Sequence, residues 1–124
     1  MWATFYYTYW PVVYITLSGD ITTQDYDQFK NEFMSLYDRQ QVFQVIIDTT
    51  GVGSVGMSYL SKQASFMKTT EAQSRKYLRR MAIVMTDPLI KMLLKSLFCL
   101  RKPVVPVKVV NSSDEAYTWL QCVQ

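Results

Sequence analysis

Residues 42–60 read VFQVIIDTTGVGSVGMSYL, and the rest of the chain is arranged around them. The apolar run Val42, Phe43, Val45, Ile46 and Ile47 ends at Asp48 and has the length and β-branching of a buried strand. Thr49 and Thr50 leave it, glycines follow at Gly51, Gly53 and Gly56, and then Met57, Leu60, Ala64 and Met67 recur at helical spacing. The stretch therefore reads strand, glycine-rich turn, helix. In open α/β sheets, ligands and partners meet the protein at the carboxyl end of such a strand.

Working outward, residues 4–9 and 12–17 are rich in Thr, Phe, Tyr, Val and Ile and are broken at Trp10-Pro11, which predicts a hairpin. After Gly19-Asp20, Thr22 or Thr23 can cap a helix whose apolar face is Tyr26, Phe29, Phe33 and Leu36. Beyond the glycine-rich stretch, residues 71–79 read as a polar, basic connection and MAIVM (81–85) as a short buried strand. Asp87-Pro88 opens a helix over residues 89–100. A last strand over 104–110 carries Pro106, which argues for an edge position. Ser112 with Glu115 forms a capping box for a closing helix faced by Ala116, Trp119, Leu120 and Val123. The order β-β-α-β-α-β-α-β-α predicts an α/β fold: a mixed sheet with an N-terminal hairpin and about four helices, in one domain of 124 residues. Ile46 and Ile47 are both expected to be buried, with helices on both faces of the sheet.

Hydrophobic content of 49% and charged content of 19% suit a soluble globular chain. The net charge of +3 selects no partner, but its distribution is uneven. From Lys62 to Lys108 there are eleven Lys and Arg against two acids, Glu71 and Asp87. Such a half suits an acidic protein, a phosphate or an anionic membrane, or else simply solvates helix ends. Histidine is absent, which excludes His-based catalysis and His-containing metal sites. Cys99, expected in the core, and the near-terminal Cys122 form no CxxC pair. With no basic n-region or cleavage site and no apolar run of ~18 residues, a cytoplasmic place is expected, peripheral to the membrane in the second reading below.

Gly51, Gly53 and Gly56 match the spacing G-x-G-x-x-G between a strand and a helix. A dinucleotide fingerprint would open the first strand–helix unit and carry an acid about 20 residues on. Here a hairpin and a helix come first, and Asp87 lies 31 residues beyond Gly56. The plainer reading is that the glycines allow a tight turn with positive backbone angles. Asp48 is either a general base or metal ligand, or a cap for that turn accepting hydrogen bonds from the loop amides. Ser54 and Ser58 lack an activating base. Ser58 falls in the first turn of the helix, where a phosphoryl group would be stabilised.

The segment LIKMLLKSLFCL (89–100) is apolar on more than one face. Leu89, Leu93, Leu97 and Leu100 are assigned to the core. Ile90, Met92, Leu94 and Phe98 then look outward, flanked by Lys91, Lys95, Arg101 and Lys102. Such a helix suits a protein partner or a membrane interface; the plainer reading is a helix buried in a dimer or wedged under residues 75–80.

These landmarks in order resemble a STAS domain, the fold of bacterial anti-sigma factor antagonists, and within it the SpoIIAA-like branch described as STAS/SEC14. The resemblance runs over residues 11–120. It is carried by VVYITLSGDIT (12–22), VIIDTTGVGSVG (45–56), MAIVMTDPLIKMLLKSLF (81–98) and PVKVVNSSDEAYTWL (106–120). It implies a non-enzymatic module that binds proteins and is often regulated by serine phosphorylation. The antagonists' loop reads Asp-Ser-Ser-Gly-Leu; here Gly56, Met57, Ser58, Tyr59 and Leu60 stand in those places, so only Ser58 of the serines remains. With the acid and the other serine gone, little phosphorylation is expected. The STAS/SEC14 branch implies instead an apolar ligand or membrane association, with the helix after the fourth strand as a movable cover.

The first expectation is therefore a regulatory protein-binding module docking through Asp48, Gly51, Gly53, Ser54, Gly56, Met57 and Tyr59, with Ser58 as the phosphorylation candidate. The second is a lipid- or membrane-surface module using Ile90, Lys91, Leu94, Lys95, Phe98, Arg101 and Lys102. A dinucleotide-dependent enzyme is a distant third. The expected partners are a protein, an apolar ligand or anionic membrane surface, and a second copy of the chain. Nucleic acid, cofactors and metals are not among them.

Overall fold

Alternation of apolar and polar residues builds the first hairpin. β1 (Ala3–Tyr9) and β2 (Val12–Gly19) pair antiparallel, with Phe5 opposite Ile15 and a turn at Trp10-Pro11, whose peptide is cis. The computed structural model describes residues 2–122. α1 (Thr23–Asp38) follows, and Thr22 caps it: its hydroxyl accepts from the Asp25 amide while the Asp25 carboxylate accepts from the Thr22 amide. Its buried face is Tyr26, Phe29, Phe33 and Leu36, as the spacing predicts, with Tyr37 added.

β3 (Phe43–Val52) runs beside β2. It does not stop at Asp48. Pairing with β2 continues through Gly51 and Val52, so two of the supposed turn residues are strand. α2 (Ser58–Thr69) then leads to α3 (Glu71–Tyr77), a helix where a plain connection was expected. Its local chemistry is helical: Glu71 in the first turn, Arg75 and Lys76 in the last, and an i,i+4 pair between Glu71 and Arg75 at 3.0 Å. The next strand also begins earlier than its apolar run suggests. β4 (Leu78–Val84) includes Arg79 and Arg80, and Arg80 is buried because its Nη1 donates to the Trp119 carbonyl at 2.8 Å.

α4 (Pro88–Leu100) starts at Asp87, whose carboxylate accepts from the Leu89 amide. β5 (Val107–Val110) is shorter than expected; Pro103 and Pro106 cannot donate to a ladder, and only the Pro106 carbonyl is used, by the Met81 amide. α5 (Ser113–Leu120) closes the chain. Ser112 caps it as predicted, but Glu115 reaches back to the Asn111 amide rather than to that of Ser112. Val123 of the expected closing face lies outside the described residues.

The strands lie in the order β1-β2-β3-β4-β5, parallel from β2 onward. Pro106 thus precedes an edge strand, as expected. With neighbours consecutive in sequence and right-handed crossovers, successive helices fall on one face. Residues of α1, α2 and α4 accordingly share one apolar space with Ile47 and Ile83, while α5 alone packs on the opposite face against Ile46, Ala82, Val84 and Val110. Ile46 is fully buried; Ile47 is only half-buried because it looks into that space.

Candidate functional site

The expected docking loop does not form a single surface. Asp48 shares the α5 side with Ile46, two residues away along the strand. Its carboxylate accepts from Tyr14 Oη at 2.8 Å, and from the Thr50 amide and hydroxyl at 2.9 and 2.7 Å. Burial opposes ionisation of Asp48, but the bonds from Thr50 and Tyr14 outweigh it and hold the carboxyl below its ordinary value. Asp48 is therefore neither a poised base nor a cap for the glycine amides. The carboxylate that does hold that loop is Asp20, absent from the sequence-based set: its Oδ1 accepts from the Ser54 amide at 2.7 Å.

Gly51 and Gly53 serve close approach, not positive backbone angles, and Gly56 serves neither. Among the described glycines only Gly19 has positive φ. At Gly53 a Cβ would collide with Asp20 Oδ1 and lie 3.1 Å from Gly19 backbone carbon, and at Gly51 it would meet the Leu17 carbonyl at 3.0 Å. A phosphate approaching these amides would meet the Asp20 carboxylate, which argues against the dinucleotide reading. Met57 is 66% exposed, and Ser58 is exposed as the first residue of α2, in the first turn as predicted. Tyr59 turns the other way and packs on Tyr26, ring centroids 5.5 Å apart.

Tyr59 also lines an apolar cavity of about 250 Å³ between the sheet and α1, α2 and α4. Phe33, Leu60, Ile83, Leu94 and Phe98 are among its walls, which are overwhelmingly apolar. It exceeds the roughly 150 Å³ engineered apolar cavities that stay dry and accept benzene. Two of its polar wall groups are satisfied within the protein: Tyr26 Oη donates to Gln63 Oε1 at 2.6 Å, and Thr49 Oγ1 donates to the Val84 carbonyl at 2.8 Å. Burial of the Tyr26 phenol pushes its pKa far above the ordinary tyrosine value, so it stays neutral.

α4 roofs this cavity, with its apolar residues in a different phase from the one expected. Ile90, Leu93, Leu94, Leu97 and Phe98 line the cavity, whereas Leu89 and Leu100, assigned to the core by spacing, are 69% and 58% exposed. Met92 is exposed as expected, and Cys99, expected in the core, is exposed beside Leu100. Both sides of the helix are apolar, so composition alone leaves its rotation undetermined. Lys91 and Lys95 are exposed. Lys102 lines the cavity while keeping much of its side chain in solvent. Arg101 is not a free surface cation: it pairs with Glu71, whose carboxyl is held low first by Arg75 and further by Arg101.

A sheet of this order, with an antiparallel hairpin ahead of consecutive parallel strands, defines a class. Residues 12–121 match the SpoIIAA-like family, and the chain belongs to it. Two solved structures share the fold. One is described as the anti-sigma factor antagonist SpoIIAA in its unphosphorylated form: 14% identity, TM-score 0.69, covering 98% of this chain and 99% of that one. The other is an uncharacterized protein of the DUF3478 family with a SpoIIAA-like fold, from Shewanella loihica PV-4: 16% identity, TM-score 0.64, covering 95% and 91%. No curated protein matches the chain in sequence. Among the described residues, no helix is long and apolar enough to cross a membrane.

Proposed function

We propose that this SpoIIAA-like protein is a non-catalytic binding module that holds an apolar molecule beneath α4 and works in the cytoplasm at an anionic membrane surface. The cavity carries this reading and moves it ahead of protein docking, which the sequence placed first. The outer side of α4 supports it: Leu89 and Met92 are 69% and 63% exposed, beside Lys91 and Lys95. Exposed apolar residues flanked by lysines suit the boundary between headgroups and acyl chains. Each basic residue near such a surface contributes about 1 kcal/mol.

Sedimentation with phosphatidylcholine vesicles, with and without phosphatidylglycerol, tests the reading. Binding should require the anionic lipid and weaken with salt. Changing Lys91, Lys95 and Lys102 to Gln should lower partitioning about 10²-fold. Arg101 is left in place because of Glu71. An absence of binding to anionic vesicles at low salt would overturn the membrane part of the reading.

A second reading rests on the exposed pair Met57 and Ser58 at the start of α2. The structural neighbour described as an anti-sigma factor antagonist suggests a protein partner there, with Ser58 as the switch. Ser58→Asp should then weaken capture of that partner, and little phosphate is expected on Ser58. Stoichiometric Ser58 phosphate, found by mass spectrometry of protein from native cells, would restore this reading to first place.

A further inference from the structure

Of the described residues that line the cavity, Lys102 alone is exposed. A side chain that both lines a space and stands in solvent marks its rim. The cavity therefore opens where α4 hands over to residues 103–105, which line it as well. Lys102 is also the one cation of that wall, and among the described residues no carboxylate pairs with it. The two acids between Lys62 and Lys108 are engaged elsewhere: Glu71 accepts from Arg75 and Arg101, and Asp87 accepts from the Leu89 amide at the other end of α4. Deeper in, Tyr26, Thr49 and Thr70 donate within the protein, and Tyr37 Oη lies 2.7 Å from Ser74 Oγ. A charged group carried that far would lose its water without a counter-charge, so the charged end of a ligand belongs at the rim.

We propose that the cavity takes a single-chain amphiphile, its tail beneath α4 and an anionic headgroup at the rim against the Lys102 ammonium. This rests on reading the cavity as a ligand site and names the class of ligand. On the scale of a ~150 Å³ cavity that accepts benzene, 250 Å³ holds a chain of about ten carbons, too little for a two-chain lipid. The ammonium does not have to point inward. At the end of a flexible four-carbon stem it reaches a headgroup lying in the mouth, while the stem covers apolar wall. A neutral head gains nothing from it, and a cationic head is repelled. The pair stays solvated, so it has the strength of an exposed ion pair and weakens with salt.

Decanoate, decyl phosphate, 1-decanol and decyltrimethylammonium share the tail and differ in the head. Each is titrated, below its micelle-forming concentration and without vesicles, into protein carrying ¹³C-methyl isoleucine, with Ile47, Ile83 and Ile90 of the wall as reporters. At low salt the two anions should bind about two- to fivefold more tightly than the alcohol, and the cation more weakly than the alcohol by a similar factor. The tighter of the two anions names carboxylate or phosphate as the headgroup. High salt should level the four. In Lys102→Gln the preference for the anions should fall to about one, and Lys102→Arg should keep it. Lys102 is exposed, so neither variant threatens the fold. Equal binding of all four heads by the unmodified protein, or an anion preference that survives in Lys102→Gln, would overturn the assignment to Lys102 and leave the cavity reading standing. Wall signals that no probe moves would overturn both.

Discussion

The two faces of the sheet are made by the same strands and packed in opposite ways. On the α5 side, Ile46, Ala82, Val84 and Val110 meet Ala116 and Leu120, and Arg80 ties the helix down through the Trp119 carbonyl. Aliphatic residues close the buried part of that layer, with Tyr14, Tyr117 and Trp119 packed at its margin. On the other side, Phe29, Phe33, Phe66 and Tyr26 meet ring to ring, and a cavity is left beneath α4. Strand alternation supplies apolar residues to both faces alike, so the covering helices decide where a ligand space exists. The one short helix α5 packs closely on β3, β4 and β5, whereas the several helices on the other side leave room beneath α4.

This contrast is most directly broken by truncating neighbours on opposite faces. Ile46→Ala should cost about 2–5 kcal/mol, because its fully buried side chain leaves a hole in close packing. Ile47→Ala should cost about 1 kcal/mol, since it enlarges a space that already exists. Denaturant midpoints of the two variants measure the difference. Equal costs would mean that the cavity side is packed as tightly as the α5 side.

The next effect belongs to the loop joining the faces. Gly53→Ala drives a methyl into Asp20 and should cost about 1–3 kcal/mol, with the Ser54 amide losing its acceptor. Gly56→Ala places its Cβ 3.8 Å from its nearest neighbour, Ser58 Oγ, and should change stability by less than about 0.5 kcal/mol. If both variants unfold at the same denaturant concentration, the close approach of residues 19–20 to residues 53–54 is not what the glycine preserves.

The α5 face was more legible in sequence than the cavity face. Apolar runs, glycine exits and the caps Thr22, Asp87 and Ser112 place the elements, because those signals are local. α3 was missed because its seven residues are short and polar, and its buried Ser74 is paid for by Tyr37, 37 positions away. The rotation of α4 was misjudged because a helix apolar on both sides carries no phase. Asp20 was overlooked for another reason. The Ser54 amide that it holds comes to it only in the folded chain, and no spacing along the sequence records the pair.

The smallest effect sharpens the comparison from the closed side. Tyr14 lies on the α5 face, stacked on Tyr117 with ring centroids 6.2 Å apart, and donates to Asp48. Burial, then the Asp48 hydrogen bond and charge, pushes its pKa up to about 12. A tyrosine whose folded pKa exceeds its unfolded value near 10 adds stability that is complete below pH 10 and fades as pH rises toward 12. Asp48 works in the opposite direction: its depressed pKa adds stability above the ordinary carboxylate range, lost on acidification through the folded value. Tyr14→Phe removes one bond between the two. At pH 7 it should cost about 1 kcal/mol. The gap between the variant and the unmodified protein should narrow above pH 10, as the unmodified Tyr14 ionises, and narrow again in acid, as Asp48 takes up a proton. Thermal melts from pH 3 to 12 would follow both limbs. Tyr26 and Tyr37, raised by burial on the cavity face, should leave an alkaline loss in the variant as well. If Tyr14→Phe abolished that loss entirely, the cavity-side tyrosines would be far better solvated than their burial implies.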